Sequence, residues 1–429
     1  MRNLLLVAGG LVIGLLLGET GLRVLSPTYP SVYQPDSTLL YRLVPSSRKV
    51  FVRDPANGGQ RVLVKINSLG FRGDELRPRA PGKRIAVYGD SFIEAEFSSL
   101  ENTFAKRLER ELDGGSDSVE VVNAGVVGYG PDQESLSIPG GMARLHPDII
   151  VLAVYAGNDL GDLVRHKIYR LGPRGSLARN NYHLSPRIET LLRRASSPTS
   201  IWRSDVYRLA QRAMDRRSTR PAACRFGAPA RHSGPERLEE TLQAVDSEYR
   251  AYVEEGNNEV TNIFCGHYDA DVALMPGAPS ARYKVALAEA VLAEIKRNVE
   301  SRGATFVLLI IPSPVDVCDR YEVRVDRAKF PEYAPSHLTD VFEGIARRQG
   351  IRHLNLYAPF RARDACGLYF AHRDDHWNDE GQRVAAELTA RLLRSMPRAL
   401  IARAEFAPGS FATRGPGLSH PTPPAQPGR

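Results

Sequence analysis

Hydrophobic and polar positions change their rhythm three times along the chain. Residues 4–17 form an almost unbroken apolar run behind Met1-Arg2-Asn3, ending at Gly18-Glu19. From 26 to 80 the chain is rich in Pro, Tyr, Arg and turn residues, with strand-like pieces at 49–52 and 62–66. After that, short apolar runs alternate with amphipathic stretches. Residues 84–88, 119–122, 148–155, 304–311 and 351–356 read as buried parallel strands. Leu100, Phe104, Leu108 and Leu112 recur at i, i+4 spacing and predict a helix, as do 281–301 and the region of Phe342, Ile345 and Ala346. A closing helix carries Val384, Ala385, Leu388 and Leu392, with Asn378 placed to cap it.

Strands alternating with helices predict an α/β fold, a three-layer α/β/α sandwich around a central parallel sheet. The rhythm breaks between about 161 and 279, so the sheet domain is interrupted by a mainly helical insertion. The expected organisation is an N-terminal anchor (1–25), a lead-in with short strands (26–80), the first part of the sheet domain (81–163), the insertion (164–278), the second part (279–400) and a disordered tail (401–429). Pro, Gly, Ser and Thr dominate that tail.

The N-terminal run is short for a membrane span, which needs about 20 residues. Thr20, Gly21, Leu22, Val24 and Leu25 extend it, with Arg23 snorkelling to the interface. Signal-peptide cleavage favours small residues before the cut, and Leu16-Leu17-Gly18 fits poorly. The expectation is an uncleaved single-pass inner-membrane anchor, basic end inside and the remainder periplasmic. Four cysteines, none at C-x-x-C spacing, agree with export and argue against a zinc ribbon. Three pairings are open to them; pairing between neighbours gives Cys224–Cys265 and Cys318–Cys366.

Charge adds little. The formal net charge of +8 over 429 residues is modest and calls for no nucleic-acid partner. From 165 to 237, however, 17 Lys and Arg face 4 Asp and Glu. That stretch is either a solvated helical surface or a holder of anionic polysaccharide or phospholipid head groups.

Four short motifs end predicted strands or precede the closing helix, the edge at which open parallel sheets bind ligands. Gly89-Asp90-Ser91-Phe92 follows the first strand and exposes a serine at a strand-to-helix turn. Asn123-Ala124-Gly125-Val126-Val127-Gly128-Tyr129-Gly130 follows the second, and its glycines let the backbone approach a ligand. Ala156-Gly157-Asn158-Asp159 follows the third, where an asparagine amide can stabilise an oxyanion. His372-Arg373-Asp374-Asp375-His376-Trp377-Asn378 places a carboxylate two residues before a histidine. Each is also a common turn or cap, and the last reads alternatively as a metal cluster of His372, Asp374 and His376 or as plain surface charge.

In this order the four motifs resemble the SGNH (GDSL-like) hydrolase family, and Asn67-Ser68-Leu69-Gly70-Phe71-Arg72-Gly73 is similar to the lead-in of its membrane-anchored bacterial members. The resemblance spans 84–159 and 281–396 and implies a flavodoxin-like sheet. It further implies Ser91 as nucleophile, His376 as base, and the Ser91 and Gly128 backbone N–H groups with the Asn158 side chain as oxyanion donors. The family's Asp-x-x-His spacing is not kept, because Arg373 stands three before His376. Asp374 is therefore the expected orienting carboxylate, since residues two apart in an extended segment point to one side. No metal or cofactor is implied. The expected function is hydrolysis of acyl esters, acetyl among them, on envelope or exported polysaccharide. An O-acyltransferase with the same residues and a non-catalytic carbohydrate-binding protein are the alternatives.

Overall fold

The computed structural model describes residues 2–25, 32–53, 55–77, 82–113, 119–196, 235–263, 266–371 and 374–397. Helix α1 (Arg2–Leu25) comes first. Two antiparallel hairpins follow: β1 (Tyr33–Asp36) with β2 (Leu40–Leu43), and β3 (Arg48–Val52) with β4 (Arg61–Lys65). The apolar runs then form β5 (Lys83–Tyr88), β6 (Val119–Asn123), β7 (Ile149–Tyr155), β12 (Thr305–Ile311) and β13 (Arg352–Asn355). These five pair in parallel in the order β13-β12-β7-β5-β6. The chain therefore steps from β5 to one side, then crosses to the other, which opens a crevice at the strand carboxyl ends beside β5.

Alternation along each strand explains the layers. Ala86, Ile150, Leu152, Leu308 and Ile310 enter one core with Ile138 and Met142 of α4 (Pro131–Leu145) and Leu287 and Val291 of the helix Pro279–Glu300. Their neighbours Val87, Val151, Ala153, Val307 and Leu309 enter the other. There they meet Phe104 and Leu108 of α3 (Phe104–Asp113) and Val384 and Leu393 of the helix Asp379–Ser395. Successive side chains on a strand face opposite ways, so a sheet covered on both sides needs apolar residues at every position. The fold is α/β, as the sequence predicts.

The hairpins do not stand apart from this body. Tyr41, Val64 and Ile66 share the first core and are almost wholly buried. Described parts of the interrupting segment include α5 (Asp159–His166), the antiparallel pair β8 (Tyr169–Leu171) and β9 (Leu177–Arg179), and the short parallel pair β10 (His183–Leu184) and β11 (Glu259–Val260). Helices Pro186–Ser196 and Pro235–Tyr249 flank residues 197–234. That stretch, with Cys224 and part of the basic excess, lies outside the described residues, as do Cys265, His372, Arg373 and the chain from 398. The pairing Cys224–Cys265 falls there too. Cys318 and Cys366 form a disulfide.

Helix α1 is continuous, and its Leu6, Leu11, Ile13, Leu16 and Leu17 side chains are all at least 60% exposed. Among the described residues no helix is long and apolar enough to cross a membrane. The span expected over 1–25 is not found within the described residues; α1 presents apolar side chains that the other described residues leave uncovered.

Candidate active site

Three adjacent strands deliver three motifs to one edge. β5 leads through Gly89 to Asp90, whose Oδ1 accepts the Phe92 N–H at 2.9 Å and so caps the short helix α2 (Ser91–Glu94). The cap fixes the turn and leaves Ser91 as the first helical residue. β6, beside it, runs into the glycine loop. A Cβ on Gly125 would lie 2.3 Å from the Glu94 nitrogen, so only glycine lets this loop lie against the serine helix. Gly128 follows with φ of 75°, the left-handed region that glycine occupies without strain. β7, on the other side of β5, leads into the turn that carries Asn158, which precedes α5.

The late histidine arrives from the far end of the chain. Asn378 caps the helix Asp379–Ser395 through the Glu380 and Gly381 N–H groups. A bridge between Tyr369 and Trp377 anchors the loop before it. His376 Nε2 lies 2.7 Å from Ser91 Oγ, and His376 Nδ1 lies 2.8 Å from Asp374 Oδ1. The imidazole stacks on Phe92, centroids 5.0 Å apart, and leans on Phe97 at 4.7 Å. Asp374 also accepts the His376 backbone N–H at 3.0 Å, which locks the two residues into one unit. Asp375 Oδ1 is 3.5 Å from Nδ1, too far for a good hydrogen bond, while its Oδ2 takes the Tyr155 hydroxyl at 3.0 Å.

Burial alone would lower the affinity of His376 for a proton, but Asp374, then Asp375 and Asp90, outweigh it and raise its pKa to about 9. Asp90 itself is pushed up to about 7 by burial, against the pull of its Phe92 hydrogen bond and of His376. Asp374, Asp375 and His376 could be brought to one cation, their ligand atoms lying within 4.8 Å of one another. Both imidazole nitrogens are already engaged, Nδ1 by Asp374 and Nε2 by Ser91. A cation there would have to displace one of them, so the donor set fits a metal poorly.

Among the described residues, no protein acceptor takes the Ser91 N–H, the Gly128 N–H or the Asn158 amide N–H. Sequence reasoning missed the groups that hold these donors. Asp269, from the interrupting segment, accepts the Leu160 and Gly161 N–H groups at 3.1 Å each and donates its own N–H to the Gly157 carbonyl at 2.7 Å. Glu94, three residues after Ser91, is wholly buried and accepts the Val127 N–H at 2.8 Å. An acidic residue within an apolar stretch is the one signal the sequence offered for Glu94; nothing local marks Asp269.

Residues 275–414 match the family model described as SGNH hydrolase-like domain, acetyltransferase AlgX. This part of the chain is SGNH hydrolase-like. The matched residues include Asp374 and His376; Ser91, Gly128 and Asn158 lie before them. No curated protein matches. Solved structures similar to the chain include a catalytic mutant of Axe2, an acetylxylan esterase from Geobacillus stearothermophilus, at 10% identity and a TM-score of 0.36, covering 74% of this chain and 96% of that one. A lipase/acylhydrolase from Enterococcus faecalis is 11% identical, with 73% and 95% covered and a TM-score of 0.34. The hydrolase LAE5 from the Lake Arreo metagenome is 14% identical, with 73% and 96% covered and a TM-score of 0.34. These similarities are distant and bear on neither substrate nor mechanism.

Proposed function

We propose that the protein is a serine esterase that cleaves acyl esters through a covalent acyl-enzyme on Ser91. The reading rests on one observation, the unbroken line from Ser91 Oγ through both nitrogens of His376 to Asp374. In the first step Ser91 Oγ bonds to the ester carbonyl carbon while His376 Nε2 takes its proton. Asp374 holds Nδ1 protonated, so that Nε2 is the nitrogen free to accept. The carbonyl oxygen becomes an oxyanion that the Ser91 N–H, Gly128 N–H and Asn158 amide can receive. Collapse breaks the ester C–O bond, and the leaving alkoxide recovers the proton from His376. Water then attacks the acyl-serine by the same route, releasing the acid.

A second reading replaces that water with a sugar hydroxyl, making the protein an O-acyltransferase on polysaccharide. The acetyltransferase description of the matched domain favours it. Acetyl release from p-nitrophenyl acetate, measured with and without an oligosaccharide acceptor, separates the two. Hydrolysis unaffected by acceptor supports the esterase; acceptor-dependent transfer that outruns hydrolysis supports the transferase. A Ser91→Ala protein that still turns over the ester would sink both.

We further propose that α1 holds the protein at the inner membrane with the sheet domain in the periplasm. The uncovered apolar side chains of α1 support this, as does a disulfide, which persists in oxidising compartments.

A further inference from the structure

We infer that Tyr41, on the lead-in hairpin, is a positioning residue that aims the Gly128 N–H at the oxyanion. The inference deepens the serine-esterase reading and rests on it. Tyr41 lies 86 residues before Val127 and is completely buried. Its hydroxyl donates to the Val127 carbonyl oxygen at 2.7 Å, with the Ile263 carbonyl a second acceptor at 3.2 Å.

The Val127 carbonyl and the Gly128 N–H are two ends of one planar, trans peptide unit, so they point in opposite directions. Holding the oxygen therefore fixes where the N–H points. The following residue could not do this alone, because Gly128 sits at φ of 75° and glycine has no side chain to restrict rotation. The unit is held on its other flank as well. Glu94 Oε2 takes the N–H of Val127 at 2.8 Å, and Glu94 belongs to the helix that begins with Ser91.

Tyr33 donates its hydroxyl to both Glu94 oxygens at 3.0 Å, and the Tyr41 ring packs edge-on against Tyr33 and Tyr129. The clamp thus joins nucleophile and oxyanion donor through side chains of the lead-in. Tyr41 touches no reacting atom. Its effect is to keep a donor pre-aimed, so that no reorientation is needed as charge develops.

The test compares Tyr41→Phe with Tyr252→Phe, which loses an equally buried hydroxyl bonded to the Tyr169 carbonyl. Turnover of p-nitrophenyl acetate is measured per active site, counted by stoichiometric labelling of Ser91 with a p-nitrophenyl phosphonate. Losing an oxyanion donor costs about 10²–10³ in rate, and a misaimed one is expected to cost about tenfold or more in kcat. KM should stay within about threefold, and Tyr252→Phe should match the wild type. Equal kcat for the two variants, or a rise in KM alone, overturns the inference. If Tyr41→Phe yields no titratable sites, Tyr41→Ala is refolded with p-cresol or with toluene, since apolar cavities accept small aromatic molecules. Restoration by p-cresol alone supports the role; equal restoration by toluene overturns it. Activity in Ser91→Ala would instead overturn the esterase reading, whatever Tyr41→Phe does.

Discussion

Trp377 donates its indole N–H to the Phe92 carbonyl oxygen at 3.0 Å, so the residue after His376 is tied to the residue after Ser91. The two lie 285 positions apart in sequence, and the bond is buried. A Trp377→Phe substitution keeps an aromatic ring against Phe104 but strands a buried carbonyl. A loss of about 1–3 kcal/mol in stability is expected from the unpaired acceptor. Because the same bond sets the approach of His376 to Ser91, kcat should fall as well. Denaturant unfolding and kcat per titrated site check the two effects separately.

The two neighbouring aspartates should behave differently. Asp374 bonds Nδ1 at 2.8 Å, whereas Asp375 stands 3.5 Å away and is held by Tyr155. Asp374→Asn is expected to lower kcat by about 10⁴, comparable with Ser91→Ala or His376→Ala, through the wrong tautomer. Asp375→Asn should cost less than about tenfold. An inactive Asp375→Asn beside a fully active Asp374→Asn would reverse the assignment.

With its pKa raised to about 9, His376 is mostly protonated at neutral pH in the free protein, and a protonated imidazole cannot act as base. The expected kcat/KM profile climbs through neutral pH and levels off near pH 9. Stability runs the other way. The unfolded histidine titrates near 6.5, so the contribution of this ion pair is fully present below that pH and fades as pH rises through about 9. In Asp374→Asn the NMR titration of His376 should move to lower pH. An unchanged midpoint would show that Asp374 is not what raises it.

The disulfide joins residues 48 positions apart and braces the turn that leads into the His376 loop. Closing a loop of that size constrains the unfolded chain by about 4 kcal/mol, an upper figure that native strain reduces. Cys318→Ala with Cys366→Ala is expected to lower unfolding free energy by about 2–4 kcal/mol. Mass spectrometry of alkylated, non-reduced protein produced in the periplasm should find neither thiol free.

Membrane attachment through α1 predicts an active alkaline phosphatase fused after Pro408, and a mature N-terminus that still precedes Leu4. A soluble product starting near Glu19 would identify the segment as a cleaved signal.

Much of this was legible in sequence because it is local. The strands announced themselves as apolar runs, Asn378 as a cap three residues ahead of Gly381, and Asp374 by the alternation that sets it on the side of His376. Groups brought in from afar were not legible. Tyr41 reads as one more residue of a turn-rich segment, and only the packing of that segment into the first core brings its hydroxyl to Val127. Asp269 reaches the Asn158 loop from more than 100 residues away, across an interruption without motif or rhythm. Helix α1 was legible as an apolar run, but such a run reports what a segment avoids and not what covers it.

The wholly buried Glu94 carries a constraint on how this chain can be cut. Burial raises its pKa, and the cations that counter this, beside the Val127 N–H, are Lys49, at 3.6 Å, and Arg72, whose guanidinium also donates to the Glu94 backbone oxygen. Both cations, with Tyr33, precede the first strand of the central sheet. A fragment starting at Lys83 would retain the four motifs at the strand ends and before the closing helix, yet the carboxylate of its serine helix would have lost both cations and the Tyr33 hydroxyl. A soluble truncation of this protein should therefore start ahead of Val32, and a swap of this sheet into another scaffold has to bring the two hairpins with it.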